Sequence, residues 1–291
     1  MKKLLCLVLC LIISVSAGLA EEPGDFFDRV EADSIGKIER TYDSPTLKYT
    51  VESFTMDGEK CYLSRIWVQE PERQIRKATA DWEENVIRPA FLAEKIPEAV
   101  LVINGSGFVS PIYPGIPDSY PGVSSDYDYT PLGSLTITDG EIFRNLKGVA
   151  YYGLALNEDG IQMYTGADNE EVLATSPKQT WSFYEECPML RDNVDLLPEN
   201  WRFADRMAAR TIIARLDRNN YLILNVTKEK KHGLTLRRTV QFFQENFTAE
   251  WVYNLDGGPS SALLCWVKDR GKLKTLAGGT AKVADIMAFT E

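Results

Sequence analysis

The sequence has little histidine: His232 is the single one in 291 residues. A zinc site built on several histidines is therefore excluded, and a Ser-His-Asp or Cys-His pair would depend on that one residue. His232 lies in the charged segment KEKKHG, where it is either a solvated loop residue or a substrate contact at the rim of a site. We expect hydrolytic chemistry in this chain to rest on carboxylates, amides, hydroxyls, arginine or a bound hard metal ion.

Cysteine and positive charge are also scarce. Beyond the first twenty residues there are only three cysteines, Cys61, Cys187 and Cys265. They allow at most one disulfide bond, and the sequence does not indicate which pair would form it. The formal net charge is −10. Such an acidic chain is a poor partner for nucleic acid or for an anionic membrane surface.

Long apolar runs are absent after the N-terminus, and the one at the N-terminus is too short to span a bilayer. Two lysines, the apolar stretch Leu4–Val15 and small residues up to Ala20 follow one another in the order of a bacterial-type secretory signal. We predict that residues 1–20 are a signal peptide, that the mature chain is secreted or extracytoplasmic, and that it has no stable membrane insertion. A retained N-terminal anchor is the alternative.

The remaining sequence predicts a single α+β domain, because it contains no internal repeat and no linker rich in Pro, Gly or Ser. Residues 21–45 are polar and aperiodic and predict a lead-in to a domain over residues 46–291. Apolar runs paired across Gly, Asn or Asp turns predict a mixed sheet made largely of antiparallel β-hairpins. The four predicted hairpins span residues 47–69, 134–143, 151–164 and 210–226.

Two main helical regions are predicted, at about residues 72–94 and 235–247. In the first, apolar residues recur at steps of three and four from Ile75 to Phe91. In the second, Thr235 serves as the N-cap, and four apolar residues form one core-facing stripe: Leu236, Val240, Phe243 and Phe247.

Residues 110–133 predict a long loop rich in Pro, Tyr and Asp, and loops of this length in compact domains tend to be functional or mobile. Asp118, Asp126 and Asp128 offer oxygen ligands that suit calcium, but their spacing matches no EF-hand. Simple solvation of these carboxylates is the alternative.

A second polar loop separates two apolar runs in WVYNLDGGPSSALLCW, from Trp251 to Trp266. The tripeptide Asp256-Gly257-Gly258 alone would satisfy a tight turn. The tripeptide Pro259-Ser260-Ser261 lengthens the loop and adds small hydroxyls, and small residues let a ligand approach backbone N–H groups closely. The loop is therefore either an extended turn or one wall of a ligand site.

Three segments taken in order resemble the phosphodiester glycosidase family. VLVINGSGF is similar to the family's strand followed by Asn-Gly-Gly-Phe-Phe, and VYNLDGGPSSAL to its Asn-Leu-Asp-Gly-Gly-Gly-Ser-Ser motif. Between them, RTIIARLDRNNYLILNV and HGLTLRRTVQFFQ resemble its Arg-Thr strand, hairpin and Gly-Leu-Thr-Leu helix. The resemblance covers about residues 96–290. Two departures are Ser106-Gly107-Phe108 in place of Gly-Phe-Phe, and Ala214 where the family often has glycine.

The resemblance implies a secreted hydrolase that cleaves the glycosidic bond of a sugar-1-phosphodiester in a glycoconjugate or an envelope or exopolysaccharide. A phosphate is a good leaving group, so the general acid of ordinary glycosidases matters less here. By their match to the motifs, Asp256, Arg210 and Asn104 are the expected catalytic residues. The expected substrate-binding residues are Gly105, Thr211, Asn254, Gly257, Gly258, Ser260 and Ser261.

The expected roles follow from residue type. Asp256 would act as a general base, an electrostatic stabiliser or the ligand of a divalent cation such as calcium or magnesium, the one cofactor considered. Arg210 would grip the phosphate through two parallel hydrogen bonds, and Asn104 would hold sugar hydroxyls or order Asp256. The structural alternatives are turn capping by Asp256, a surface ion pair by Arg210 and a type I′ turn at Asn104.

Two functions of other classes stay open at this stage. The same cleft would suit a non-catalytic envelope polysaccharide-binding or assembly protein, or a glycosyl transferase that acts on a phosphate-containing polymer. The altered segment Ser106-Gly107-Phe108 favours binding alone. Retention of Arg210, Asn254 and Asp256 favours catalysis. In each case the expected partner is a carbohydrate or sugar phosphate.

Overall fold

The structure is a computed structural model that describes residues 25–81, 86–108, 133–183, 185, 187–227 and 233–291. The predicted signal peptide, His232 and nearly all of the predicted loop over residues 110–133, with its three aspartates, lie outside these residues. No helix in the described part of the chain is both long enough and apolar enough to cross a membrane. The three cysteines that it contains, Cys61, Cys187 and Cys265, are all free and buried.

Strands dominate the described residues. In chain order they are β1 (Lys37–Asp43), β2 (Leu47–Met56), β3 (Glu59–Val68), β4 (Ile75–Thr79), β5 (Ala99–Asn104), β6 (Leu135–Thr138), β7 (Glu141–Asn145), β8 (Tyr151–Asn157), β9 (Gly160–Ala167), β10 (Gln179–Ser182), β11 (Pro188–Arg191), β12 (Val194–Asp195), β13 (Arg210–Arg215), β14 (Asn220–Val226), β15 (Trp251–Asn254), β16 (Ala262–Val267), β17 (Lys272–Gly278) and β18 (Asp285–Thr290). The α-helices are α1 (Asp25–Ala32), α2 (Pro71–Gln74), α3 (Pro89–Ala93), α4 (Asn169–Leu173) and α5 (Leu236–Asn246). The predicted β-rich character is confirmed, but helices contribute less than an α+β prediction suggests.

The strands form two large sheets and two small ones. The eight-stranded sheet has the order β1-β2-β3-β14-β13-β15-β11-β12, and the five-stranded sheet has the order β17-β16-β5-β18-β4. Three strands pair as β10-β8-β9 and two as β6-β7. All four predicted hairpins are confirmed, as β2–β3, β6–β7, β8–β9 and β13–β14.

Every strand pairing among the described residues is antiparallel, so the predicted mixed sheet is wrong. Parallel neighbours need a crossover of a dozen or more residues, usually a helix. Here most strands adjacent in the chain are joined by short turns, and α5 leads into β15, which pairs antiparallel with β13.

The two large sheets pack face to face and are covered outside by helices. On β13, Ile213 belongs to the core shared with the five-stranded sheet, whereas Ile212 belongs to the core beneath α5. The outer face of the five-stranded sheet, with Val102 and Ile286, packs on Leu92 of α3. Strands buried on both faces read as continuous apolar runs, which explains the sequence of β5 and β13.

The second predicted helix is confirmed as α5. The Thr235 hydroxyl accepts the Arg238 N–H at 3.1 Å, which is an N-cap hydrogen bond. Leu236, Val240 and Phe243 are buried against the eight-stranded sheet, with Phe247 partly buried beside them.

The first helix, predicted over residues 72–94, does not form as one helix, and the prediction is wrong for residues 75–79, which form a strand. Only the single-turn helices α2 and α3 form in this region, and β4 lies between them; residues 82–85 fall outside the described chain. β4 pairs antiparallel with β18, the last strand of the sequence. This long-range ladder satisfies the backbone of β4, and it outweighs the weak local preference for a helix.

The predicted polar lead-in over residues 21–45 is also wrong, because α1 and β1 lie within it. β1 pairs with β2 at the edge of the eight-stranded sheet, and Phe26 and Val30 of α1 pack on Trp67. β1 is mostly exposed. Exposed edge strands carry charged residues, so the sequence of β1 lacks the alternation of apolar and polar residues by which strands are predicted.

Candidate active site

Three strand ends bring the predicted site residues into one region. β5 ends at Asn104, β15 ends at Asn254, and β13 begins at Arg210. The chain continuing from β15 is joined to both neighbours: the Asp256 N–H donates to the Gly105 carbonyl at 3.2 Å, and the Leu255 N–H donates to the Thr211 carbonyl at 2.9 Å.

Asn104 is fully buried and uses its side-chain amide inside the protein. Its Nδ2 donates to the Asp256 carbonyl at 2.7 Å, and its Oδ1 accepts both the Thr211 hydroxyl at 2.7 Å and the Ala262 N–H at 3.0 Å. Neither Asn104 nor Gly105 has a positive φ, so no type I′ turn forms there. This geometry makes Asn104 and Thr211 positioning residues that hold the loop of Asp256.

Gly105 is a glycine because the chain passes too close to a carboxylate for any side chain. A Cβ atom at this position would lie 2.0 Å from Oδ1 of Asp285. Such an approach is closer than any non-bonded carbon and oxygen can make. The predicted role of Gly105 in substrate binding therefore competes with a plain steric reason for its identity.

Asp256 is a partly buried carboxylate that forms no ion pair with a described Lys or Arg. Its pKa is raised to about 6, chiefly by burial and to a smaller extent by the nearby Asp285, while hydrogen bonds from Ser260 and from the Gly257 N–H at 2.8 Å oppose the shift. At neutral pH the carboxylate is mostly ionised, and it is a stronger base than an ordinary aspartate. A pKa near the working pH is what a general base requires.

Asp285 is the site residue that the sequence did not suggest. Its Oδ1 accepts the Ser106 N–H at 2.6 Å, and its Oδ2 lies 3.3 Å from Nζ of Lys77, which donates to the Thr180 carbonyl at 2.7 Å. Both charged side chains are fully buried. A usable signal was present, because a strand as apolar as VADIMAF has no place for an unpaired charge.

Arg210 is almost fully buried, at 1% exposure, and is not part of a surface ion pair. Its Nε donates to the Leu234 carbonyl at 3.2 Å and its Nη2 to the Arg206 carbonyl at 2.5 Å. The guanidinium carbon lies 5.0 Å from the centre of the Phe203 ring. Burial lowers the Arg210 pKa to about 10, so the side chain stays cationic at neutral pH.

The contacts of Arg210 leave one nitrogen available. Among the described residues Nη1 has no acceptor, while the other two nitrogens fix the plane of the guanidinium. Arg210 does not bond to Asp256. Its backbone does lie beside the loop, because a Cβ at Gly257 would be 3.8 Å from Cα and from Cδ of Arg210. The two groups therefore belong to one region without neutralising each other.

The backbone N–H groups of the glycine-serine loop are already used within the protein. The Gly257 N–H donates to Asp256, the Gly258 N–H to the Ala209 carbonyl at 2.8 Å, and the Ser260 and Ser261 N–H groups to carbonyls of the same loop. A ligand would thus meet the hydroxyls of the loop rather than the expected N–H donors. Ser261 Oγ has no hydrogen-bond partner among the described residues.

Asn254 carries another unused polar atom. Its Nδ2 donates to Sγ of Cys187 at 3.6 Å, while its Oδ1 is buried and without a partner among the described residues. Cys187 in turn lies near Arg210. Asn254, Cys187 and Arg210 therefore line the same part of the region.

An aromatic wall closes the region on the side of the altered Ser106-Gly107-Phe108 segment. A Cβ at Gly107 would lie 2.0 Å from Cδ2 of Phe183, so the ring of Phe183 occupies the space beside that glycine. Phe183 and Phe203 meet edge to face with their centres 6.1 Å apart. Phe203 then stacks on Arg210, and the wall runs from Gly107 to the cation.

The described residues offer little to a resident cation. Among them, no group of three or more His, Cys, Asp or Glu side chains could hold a metal ion. Asp256 supplies one carboxylate, and Asp285 is engaged by Lys77. Calcium takes six to eight oxygen ligands, so a cation on Asp256 would need backbone carbonyls, water or substrate to complete its shell.

Comparison with known proteins identifies the family. Residues 97–290 match the family model described as phosphodiester glycosidase. The chain belongs to the phosphodiester glycosidase family. The resemblance drawn from the three motifs is confirmed, and all of the site residues described above, except Lys77, lie in the matched region.

Solved structures share the fold. The catalytic domain of zebrafish N-acetylglucosamine-1-phosphodiester alpha-N-acetylglucosaminidase, auto-inhibited by its pro-peptide, has a TM-score of 0.62 and 17% identity over 88% of this chain and 86% of that chain. A hypothetical protein from Synechocystis has a TM-score of 0.55 and 13% identity over 89% of this chain and 64% of that chain. Identities this low establish the fold alone. None of the curated proteins matches this chain in sequence.

Proposed function

We propose that this member of the phosphodiester glycosidase family is an extracytoplasmic hydrolase that cleaves the glycosidic bond of a sugar-1-phosphodiester. The observation that carries the proposal is Asp256. It is an unpaired, partly buried carboxylate with a pKa of about 6. Asn104 holds its backbone carbonyl, and the next residue of its loop, Gly257, packs against the buried Arg210. Turn capping alone would not require a carboxylate at such a pKa.

Arg210 is the proposed phosphate ligand. Two of its nitrogens are fixed by backbone carbonyls, so the third is presented in a defined direction. A fixed cation loses little conformational entropy on binding an anion. It would also stabilise the negative charge that develops on the phosphate as the glycosidic bond breaks.

Asp256 is the proposed base and electrostatic stabiliser. In its ionised form it would take a proton from water as the water oxygen attacks the anomeric carbon, and it would stabilise the positive charge developing there. The bond between the anomeric carbon and the phosphate oxygen breaks, and the phosphomonoester leaves as an anion. No general acid is needed for such a leaving group, which agrees with Asp256 being the one unpaired carboxylate among the site residues that the structure describes.

The assay that tests this activity measures sugar release from a panel of sugar-1-phosphodiesters, with and without a chelator. Running it in ¹⁸O-labelled water locates the broken bond. Attack at the anomeric carbon places the label in the released sugar, whereas attack at phosphorus places it in the phosphate. Label in the phosphate, or no release from any panel member, would refute the proposal. Transfer of the sugar to an added phosphate polymer would instead identify a glycosyl transferase.

Export is the second part of the proposal, and it rests on the lysine–apolar–small order of residues 1–20. The mature protein should begin near Glu21. The intact mass of protein recovered from the medium or the cell envelope tests this, since a mass that includes residues 1–20 contradicts cleavage.

A further inference from the structure

A cavity of about 540 Å³ lies beside the loop of Asp256, and none of the three expected catalytic residues lines it. Its walls come from the segment before Arg210, the end of β14, the glycine-serine loop and the end of β17. Cavities of roughly 300–1,000 Å³ are the size that holds a small molecule. Gly258 and Ser261 belong both to this lining and to the loop of the proposed active site.

The cavity has an anion-binding character. Arg206 is the one charged residue among the described lining residues, and no carboxylate accompanies it. Its side chain is exposed, and no described acidic group pairs with it. In a chain of net charge −10, an arginine left without a carboxylate at the wall of a cavity favours an anionic ligand.

The cavity wall also carries unused polar atoms. Asn225 and Ser261 are 2% and 6% exposed, and Asn225 Oδ1 and Ser261 Oγ have no hydrogen-bond partner among the described residues. Asn225 Nδ2 donates to the Thr211 hydroxyl at 3.1 Å and to the Ala262 carbonyl at 3.3 Å, which fixes the orientation of the amide. Buried polar atoms without partners destabilise a protein, and hydroxyls of a ligand bound at this wall would offer them partners.

The cavity is joined directly to the proposed phosphate ligand. Nη2 of Arg210 donates to the carbonyl of Arg206, and Ala209, which lines the cavity, accepts the N–H of Gly258. The cavity wall and Arg210 therefore lie on one rigid segment. Four lining residues, 206–209, directly precede Arg210 in the chain, so a group bonded to a phosphate held by Arg210 would lie close to this wall.

We propose that this cavity is the subsite for the group on the far side of the phosphodiester, and that it binds a hydroxylated, anionic aglycone through Arg206, Asn225 and Ser261. This rests on the proposed function, in which Arg210 holds the phosphate. Met207, Val226 and Leu276 supply an apolar wall for the carbon skeleton of such a polyol or sugar acid. The aglycone, rather than the released sugar, is what this subsite selects.

Three phosphomonoesters that represent released products test the proposal by calorimetry on the wild-type protein. Methyl phosphate has neither hydroxyl nor second anion, glycerol 3-phosphate adds hydroxyls, and 3-phosphoglycerate has a hydroxyl and a carboxylate. We expect affinity to rise in that order, with about tenfold between the last two, as for one charge-assisted hydrogen bond. Equal affinity for all three would overturn the proposal.

Variants of lining residues then test whether the increase in affinity across the three phosphomonoesters comes from the cavity. Arg206→Gln should abolish the preference for 3-phosphoglycerate over glycerol 3-phosphate and leave the binding of methyl phosphate unchanged. Ala277→Phe, which fills the cavity from β17, should abolish both preferences, as should Thr280→Trp at the exposed rim if the first variant does not fold. The matched control is Thr275→Phe, on the same strand but outside the lining.

The binding data and the sugar-release assay separate this proposal from the proposed function. A graded affinity that Ala277→Phe abolishes supports the subsite even when no panel member is hydrolysed, and that result would refute the activity alone. Hydrolysis of the panel by a protein whose affinities are equal, or by an Ala277→Phe variant with unchanged affinities, would refute the subsite alone.

Discussion

Two aspartates contact the same short segment, Asn104–Ser106, one from β18 and one from the loop that follows β15, and their surroundings differ. Asp285 is completely buried, pairs with Lys77, and accepts the Ser106 N–H. Asp256 is partly exposed, donates its own N–H to Gly105, and has no cation among the described residues. One residue type thus occupies two environments a few ångströms apart.

The difference shows what decides whether a buried carboxylate is structural or chemical. Burial penalises the charged form of both groups, and a cation offsets the penalty only for Asp285. For Asp256 the penalty appears as a pKa raised to about 6. The pair of Lys77 and Asp285 holds the backbone of Ser106, next to the residue that the Asp256 N–H contacts, and the unpaired carboxylate of Asp256 is the one proposed to react.

The largest expected effect comes from breaking the structural pair. Asp285→Ala removes the carboxylate that faces the buried Lys77 ammonium, and loss of one member of a buried pair costs about 3–5 kcal/mol. Urea denaturation should show that decrease in the free energy of unfolding. The double variant Lys77→Met/Asp285→Ala should recover part of it because no buried charge remains. A single variant as stable as the wild type would mean that the pair is not buried in solution.

The next effect concerns catalysis. Asp256→Asn is nearly isosteric and keeps an acceptor for the Gly257 N–H, but it removes the negative charge. We expect kcat to fall by at least about 10²-fold, near 2.7 kcal/mol of barrier, with no decrease in melting temperature. Asp269→Asn, at an exposed aspartate, is the matched control. Undiminished turnover in a folded Asp256→Asn protein would leave Asp256 as a turn residue.

These two aspartates also show which features of the site could be predicted from the sequence and which could not. The loop of Asp256 was visible because it is a local feature, a polar run between apolar strands that matches a family motif. Asp285 was not, because its partner Lys77 is about two hundred residues away, in a segment whose local period predicts a helix. Pairing of β4 with β18 is long-range information that no window of the sequence contains.

The same distinction holds for the fold and for Arg210. The hairpins and α5 could be predicted because a turn, a cap and a period of two or 3.6 residues are local. That Arg210 lies in the region followed from the motif match. The direction of its guanidinium could not be predicted, because it is set by the carbonyls of Arg206 and Leu234 and by the ring of Phe203.

A smaller effect is expected at the cation. Arg210→Lys keeps the charge but loses the planar group that two carbonyls hold in place. We expect KM for a sugar-1-phosphodiester to rise by about tenfold, near 1.4 kcal/mol, with a smaller change in kcat. Arg202→Lys, at an exposed arginine outside the site, is the control. If kcat falls instead and KM is unchanged, Arg210 acts mainly in the transition state.

The smallest effect links the pKa of Asp256 to stability. Because its folded pKa is raised, the folded state holds the proton up to about pH 6, whereas the unfolded chain releases it near its ordinary value of 3.8. The protonated group therefore favours folding below about pH 4, and this stability is lost as pH rises through 6. Relative to the wild type, Asp256→Asn should gain stability over that interval, because the amide carries no charge that burial penalises. Urea denaturation at pH 3.5, 5 and 7 measures the difference, and activity of the wild type should rise with pH across the same interval. If the difference in the free energy of unfolding between Asp256→Asn and the wild type does not change with pH, Asp256 is solvated like a surface carboxylate. Asp256 and Asp285 would then differ only in how deeply each is buried.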